Sequence, residues 1–267
     1  MNRIDTKNSK IEKNAISYIR MLASKFDEKP TLAILDPSSD KASASYISGI
    51  KKDFEMFNLG EPAVITGVGS CMDFLNSNNK DQYTGIICVS DFFFQRYFRK
   101  AVPISKDIEG VAGNDKVIPS TALAIFKNIH GYFDYQFLEG KNVCIINRSA
   151  TVGIPLQRLL MSNNCTVTIM HSHTTLETKH LLCPTMDIIV TATGVPGSFD
   201  QYMVSSSKNQ LIIDIGMGLD ENGKIHGDIS DDAITNNKKG FYIDYRDIGR
   251  CTRLCLIENL LTVFDQD

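Results

Sequence analysis

Arg148 and Ser149 follow directly on an apolar run, Asn142–Asn147 (NVCIIN), and Gly153 and Pro155 come shortly after them. Residues of these types in this order can hold an anion. A strand would deliver the chain to the start of a helix, where unpaired backbone N–H groups and the helix dipole favour negative charge. Gly153 lets the helix start pack closely against the sheet or a ligand, and Ser149 can cap the helix or donate to a phosphate. Pro155 suits a first turn, where its missing N–H costs little. The stretch holds one glycine where the usual dinucleotide fingerprint has three, so alone it is also the pattern of an ordinary strand-to-helix connection.

The following apolar run ends in His171-Ser172-His173-Thr174, the place that reads the adenosine ribose in a doubly wound nucleotide fold. No carboxylate is there to accept from a free 2′-hydroxyl. Together with Arg148 this tilts the site toward a 2′-phosphate, and so toward NADP with NAD as the alternative. His171 and His173 face opposite ways if the strand continues, and His130, His180 and His226 are isolated. No metal site is expected.

Two series of elements position these residues. Residues 8–26 have helical spacing, 31–36 (TLAILD) reads as a strand, 43–58 as a helix, and 63–66 and 85–90 as strands. From Pro119 a second series begins: helix 120–130, strand 142–147, helix 152–162, strand 165–171, a short helix, and strands 186–193 and 210–216. Leu254, Ile257, Leu260, Leu261 and Phe264 give the last segment helical spacing. Short, wholly apolar strands alternating with helices argue for parallel sheets covered on both faces. The expected fold class is α/β with two lobes. Residues 1–118 form the first lobe, and residues 119–251 a Rossmann-like doubly wound lobe. Helix 252–267 packs back on the first lobe.

The bulk properties fit. A chain of 267 residues, 43% apolar and 22% charged, suffices for two ordinary domains. A net charge of −3 gives no basic field to recommend nucleic acid or an anionic membrane. No apolar stretch reaches the length of a membrane span, and the polar first seventeen residues lack a signal-peptide core. A cytoplasmic protein is expected. The seven cysteines include no Cys-x-x-Cys pair and cannot all be bridged within one chain, so buried free thiols are expected.

Residues 140–174 (GKNVCIINRSATVGIPLQRLLMSNNCTVTIMHSHT) resemble the nucleotide lobe of the bifunctional methylenetetrahydrofolate dehydrogenase/cyclohydrolase family. That family has Gly-Arg-Ser-x-x-Val-Gly-x-Pro after a strand, then a strand ending His-Ser-Lys-Thr. MDIIVTATGVPG (186–197), LIIDIGM (211–217), GKIHGDIS (223–230), PST (119–121) and ENLL (258–261) match the family in order. The resemblance implies two α/β lobes with a cleft between them, in which hydride passes from methylenetetrahydrofolate to NADP and water then opens the methenyl product. It implies a homodimer through the nucleotide lobe. It places the cofactor against Asn147, Arg148, Ser149, Val152, Gly153, His171, Ser172, Thr193, Gly194 and Gly216, and the substrate against Tyr46, Glu109, Gly249 and Thr252.

The first lobe departs from the family's pattern. The family has Tyr-x-x-x-Lys on a helix, the Tyr stacking near folate and the Lys activating water and polarising the substrate. Here Tyr46 is followed four residues on by Ile50. Lys51 sits about 100° round the helix, and only a local bulge would bring it to the same face. Val89 stands where the family has a Gln, and Glu109 where it has the second Asp of Asp-Val-Asp-Gly. A displacement of about 1 Å matters in a positioned site. In YRDIGRCT (245–252), aligned with the family's glycine-proline loop, only Gly249 and Thr252 agree, while Arg246, Asp247 and Arg250 add charge.

Three readings follow. One is a dehydrogenase without cyclohydrolase activity, with Tyr46 and Glu109 still serving the substrate. Another is the same build acting on another small acid, met by Arg246 and Arg250; equally, these arginines are surface residues at a helix start. A third is a non-catalytic nucleotide-binding relative or subunit.

Overall fold

The computed structural model of the protein describes residues 1–6, 9–89, 92–132, 135–220 and 223–265. Asn8 and Ser90, at the ends of two predicted elements, lie outside the described residues, as do Gln266 and Asp267 of the C-terminal segment. The chain divides into two compact units, Met1–Glu12 with Thr121–Gly249 and Lys13–Ser120 with Arg250–Asp267.

The chain opens on a two-residue strand, β1 (Asn2–Arg3), then α1 (Lys10–Ala23). Next come β2 (Leu32–Asp36), α2 (Lys41–Met56), β3 (Ala63–Thr66), α3 (Val68–Asn76), β4 (Gly85–Cys88) and α4 (Phe92–Ala101). These three strands pair in parallel in the order β3-β2-β4. Central β2 is buried at every position, so its sequence is an apolar run, Leu32 to Leu35, closed by the buried Asp36, rather than an alternating pattern. α2 starts at Asp40, whose side chain accepts from the Ser43 N–H at 2.8 Å, and it runs without interruption to Met56. Its buried face carries Ser43, Ile47, Ile50, Asp53 and Phe54, the spacing of one helical stripe.

The other unit holds α5 (Ser120–Tyr132) from its second residue, β5 (Asn142–Ile146), α6 (Gly153–Met161), β6 (Thr166–Met170), α7 (Leu176–Leu182), β7 (Ile188–Thr191) and β8 (Leu211–Asp214). It continues through a hairpin, β9 (Gly218–Leu219) with β10 (Ile225–His226), then α8 (Asp231–Asn236) and β11 (Phe241–Ile243). Its sheet is parallel throughout, in the order β1-β11-β8-β7-β5-β6. The chain steps from β5 out to β6 and crosses back to β7, so the carboxyl ends of β5 and β7 flank the switch point where such sheets place ligands.

Two features differ from the sequence reading. Residues 1–118 read as one lobe, yet Met1–Glu12 group with the six-stranded unit. β1 adds to β11, and the Arg3 guanidinium grips the Asp247 carboxylate at 3.0–3.1 Å. A two-residue strand whose partner lies over 200 residues away leaves no periodic signal. Also, the last helix, α9 (Tyr245–Phe264), begins seven residues before Thr252. Asp244 caps it, its side chain accepting from the Arg246 N–H at 2.9 Å, and Asp247 adds favourable negative charge in the first turn. The stretch aligned with a glycine-proline loop is thus helix, because the residues replacing glycine and proline are ones a helix tolerates.

Candidate functional site

The turn after β5 is organised by Asn147. Its Oδ1 accepts from the N–H groups of Ser149 (2.7 Å) and Gly153 (3.1 Å), and its Nδ2 donates across the switch point to the Ala192 carbonyl at 2.8 Å. Ser149 Oγ accepts from the Val152 N–H at 3.1 Å. The N–H groups of Val152 and Gly153, expected to face an anion, are therefore held by the protein's own side chains in this structure. A Cβ on Gly153 would lie 2.2 Å from the Asn147 carbonyl oxygen, so glycine is required because the helix start closes onto its own strand end. Arg148, between these anchored residues, is exposed.

The end of β6 makes a tight turn. The Thr174 N–H donates to the His171 carbonyl (2.9 Å), the His171 N–H to Thr174 Oγ1 (3.0 Å), and the His173 N–H to His171 Nδ1 (3.1 Å). Ser172 and His173 are exposed. Partial desolvation, then the charges of Arg148, His173 and Lys179, hold His171 below the usual imidazole value. Arg148, a predicted residue, thus shares one positive corner with Lys179 on α7, which sequence reading did not single out, beside a His171 ring they keep neutral. The signal for Lys179 was a cation on the helix following the ribose-reading turn.

The loops after β7 and β8 are tied by two buried carboxylates that sequence reading also left without a role. Asp228 Oδ2 accepts from the Thr191 hydroxyl (2.7 Å) and the Thr193 N–H (2.6 Å); its Oδ1 has no hydrogen-bond partner among the described residues. Asp214 Oδ1 accepts from the N–H groups of Gly216 (3.0 Å) and Asp228 (3.1 Å), and Oδ2 from Ile229 (3.1 Å). Burial first, and neighbouring Asp228 second among the raising influences, push the Asp214 carboxyl up to about 7. A Cβ on Gly216 would fall 1.8 Å from Asp228 Oδ1, which explains that glycine. Thr193 and Gly194, with a left-handed φ of 71°, stand exposed on this rim. An acid inside the apolar run LIIDIG was the available signal.

In the three-stranded unit, Ile50 is fully buried and Val89 is 7% exposed; both belong to one apolar cluster with Leu32, Ile34, Leu254 and Ile257, and Tyr46 packs against it. Lys51 points elsewhere, pairing with exposed Glu61 at 2.9 Å. The continuous helix contains no bulge that would turn Lys51 round. Glu109 is fixed at the start of α5, accepting from the Ser120 N–H (2.8 Å) and hydroxyl (2.6 Å). Burial, with a contribution from Asp107, pushes its carboxyl up to about 7 against these hydrogen bonds. Its segment is anchored by buried Asp107, which accepts from the Glu109 and Ala112 N–H groups, and by Asn259, whose Nδ2 donates to the Ile108 (2.9 Å) and Ile118 (2.8 Å) carbonyls. Burial first and then the charge on Glu109 raise the Tyr46 phenol, which places these two residues in one electrostatic neighbourhood.

Gly249 and Thr252 both lie on α9; a Cβ on Gly249 would meet nothing within 4 Å, and Thr252 is buried. Arg246, considered above as a receptor for an acidic substrate, is paired with Asp244 at 2.6 Å, and Arg250 Nη2 lies 3.6 Å from Met56 Sδ. Among the described residues no group of three or more His, Cys, Asp or Glu could hold a metal, and no helix is long and apolar enough to cross a membrane. All seven cysteines are free thiols, and all but half-buried Cys88 are buried.

Residues 119–267 match the family model described as tetrahydrofolate dehydrogenase/cyclohydrolase, NAD(P)-binding domain. The chain is 32% identical over 222 residues to the bifunctional protein FolD of Staphylococcus epidermidis, covering 77% of this chain and 76% of that protein. It is similar to the methylenetetrahydrofolate dehydrogenase of the silkworm Bombyx mori, with a TM-score of 0.79, 25% identity and coverage of 100% and 99%. The methylenetetrahydrofolate dehydrogenase-cyclohydrolase of Trypanosoma brucei, solved with NADP and an inhibitor, shares the fold at a TM-score of 0.82 and 20% identity, over 98% of this chain and 97% of that one.

Proposed function

The chain belongs to the tetrahydrofolate dehydrogenase/cyclohydrolase family, and from that premise we propose that it is an NADP-dependent methylenetetrahydrofolate dehydrogenase of one-carbon metabolism that lacks cyclohydrolase activity. The observation that carries the loss is Ile50, fully buried in the apolar cluster at the position from which a lysine would activate water. Hydride transfer needs chiefly that cofactor and substrate be held together in the right orientation. The anchored turn at Asn147 and the positive corner of Arg148 and Lys179, beside the His171 ring, support NADP binding. NAD, without the 2′-phosphate, gains less from that corner. Glu109, with its carboxyl near 7, and Tyr46 are the groups assigned to the folate-like substrate.

Calorimetric titration with NADP, NAD and tetrahydrofolate, followed by assays of methylenetetrahydrofolate oxidation and methenyltetrahydrofolate hydrolysis, tests the proposal. NADP is expected to bind more tightly than NAD, oxidation to proceed, and hydrolysis to stay at the uncatalysed rate. NADP binding without folate binding overturns it in favour of another small acid as substrate or a non-catalytic relative. A cytoplasmic homodimer is part of the same proposal. Met161 on α6 and Leu176 and Leu181 on α7, exposed in one chain, support a second copy covering the nucleotide unit. Sedimentation at the monomer mass would remove that part.

A further inference from the structure

α2 carries Tyr46, Gly49 and Asp53 at spacings of three and four, one stripe of the helix. A side chain from a distant part of the sequence lies along that stripe. Arg253, on α9, donates from Nε to Asp53 Oδ2 at 2.6 Å. Its guanidinium rests flat on Gly49: a Cβ there would come within 2.8 Å of Nε, 2.9 Å of Cζ and 3.0 Å of Nη1. Any larger residue at 49 would push the arginine away. Asp53 is 4% exposed, whereas the Arg253 side chain keeps 20% of its surface. Asp53 is its hydrogen-bond partner among the described residues, through one of five N–H donors. The positive charge also acts on the Tyr46 hydroxyl, as does the negative charge of Glu109.

We propose that Arg253, laid over Gly49 and held by Asp53, supplies the fixed positive charge that meets the oxygen-bearing face of the folate-like substrate beside Tyr46, in place of the lysine absent at Ile50. This rests on the function proposed above. Arginine keeps its proton at any working pH, so it can bind and polarise an oxygen but cannot pass a proton to or from water. A charge of this kind holds the substrate's oxygens for hydride transfer and leaves hydrolysis without its base. Asp53 is a positioning residue in this arrangement.

The test compares Arg253→Gln, Arg253→Lys and the double variant Arg253→Gln/Asp53→Asn with the parent enzyme, by calorimetry with tetrahydrofolate and NADP. The double variant removes the buried carboxylate that Arg253→Gln alone would orphan, so a folding defect cannot stand in for a binding defect. We expect both glutamine variants to bind tetrahydrofolate at least about tenfold more weakly and NADP within about twofold of the parent. Arg253→Lys should recover much of the folate affinity and lose it again at high pH, as the lysine deprotonates, where the parent stays flat. Lys51→Gln should change neither ligand. Parent-like folate binding by the double variant overturns the inference and leaves the proposed function standing. A parent enzyme that binds no tetrahydrofolate overturns both.

Discussion

In the six-stranded unit, Asn147, Asp214 and Asp228 sit at or beyond the carboxyl ends of the sheet and use nearly every polar side-chain atom to fasten neighbouring loops. In the three-stranded unit, Ile50 and Val89, at the positions where the family resemblance sets a Lys and a Gln, belong to the apolar core. Under the proposed function, the difference is that of a site changed on one side alone. A polar atom that serves two or three loops cannot be removed without orphaning several partners. An exposed-facing polar residue that borders an apolar cluster can be replaced by an apolar one, and the core absorbs it.

The harshest attack on this contrast is Ile50→Lys. A lysine in that cluster is an uncompensated buried charge, and the variant should lose about 3–5 kcal/mol in denaturant unfolding rather than gain cyclohydrolase activity. A stable, hydrolysing variant would mean the substrate side is still a polar site.

A pH series probes the buried acids next. The Asp214 carboxyl, pushed from 3.8 up to about 7 by burial, binds a proton in the folded state that the unfolded state has released. Between about 4 and 7 the folded state therefore holds more protons, so stability falls as pH rises through that window. Glu109, also pushed up to about 7, contributes with the same sign. Melting temperatures should decline from about pH 4 to about pH 7 and level off above it, with a shallower decline in Asp214→Asn. An unchanged slope in that variant would remove Asp214 from the network's titration.

Arg148→Gln sharpens the other half of the contrast. NADP affinity should fall about tenfold, with NAD much less affected, because a charge-assisted contact to the 2′-phosphate is lost. Equal losses for both nucleotides would move Arg148 away from the phosphate. The smallest effect belongs to Gly249→Ala. That residue is helical with open space around its Cβ position, so alanine should stabilise by about 0.5–1 kcal/mol without altering NADP affinity. A fall in folate affinity would support contact between Gly249 and the substrate.

Much of the scaffold could be read along the chain. Strands 31–36 and 142–147 are short, mostly buried runs and 63–66 a half-buried one, and the structure places β2, β5 and β3 on them. The start of α9 was less legible, since its cap, Asp244, lies before a stretch aligned with a loop in the resembling family. The short strands β1 and β11 leave no periodicity to detect. At the nucleotide turn, Asn147, Arg148, Ser149 and Gly153 were recognisable by type and order. The roles of Asn147 and Ser149, as acceptors for the helix's own N–H groups, were not.

The order of residue types determined the parallel α/β layout, the turn after β5, the lack of a carboxylate at the end of β6 and the absence of a lysine at position 50. Those properties are local, fixed by side-chain chemistry and spacing within a few residues. Only the folded chain decided that Asp228 sits under Gly216, that Asp214 is kept near neutrality, and that Arg253 lies on Gly49 against Asp53, 200 residues away. Burial and charge pairing depend on neighbours that long loops bring together, and a sequence does not mark those neighbours.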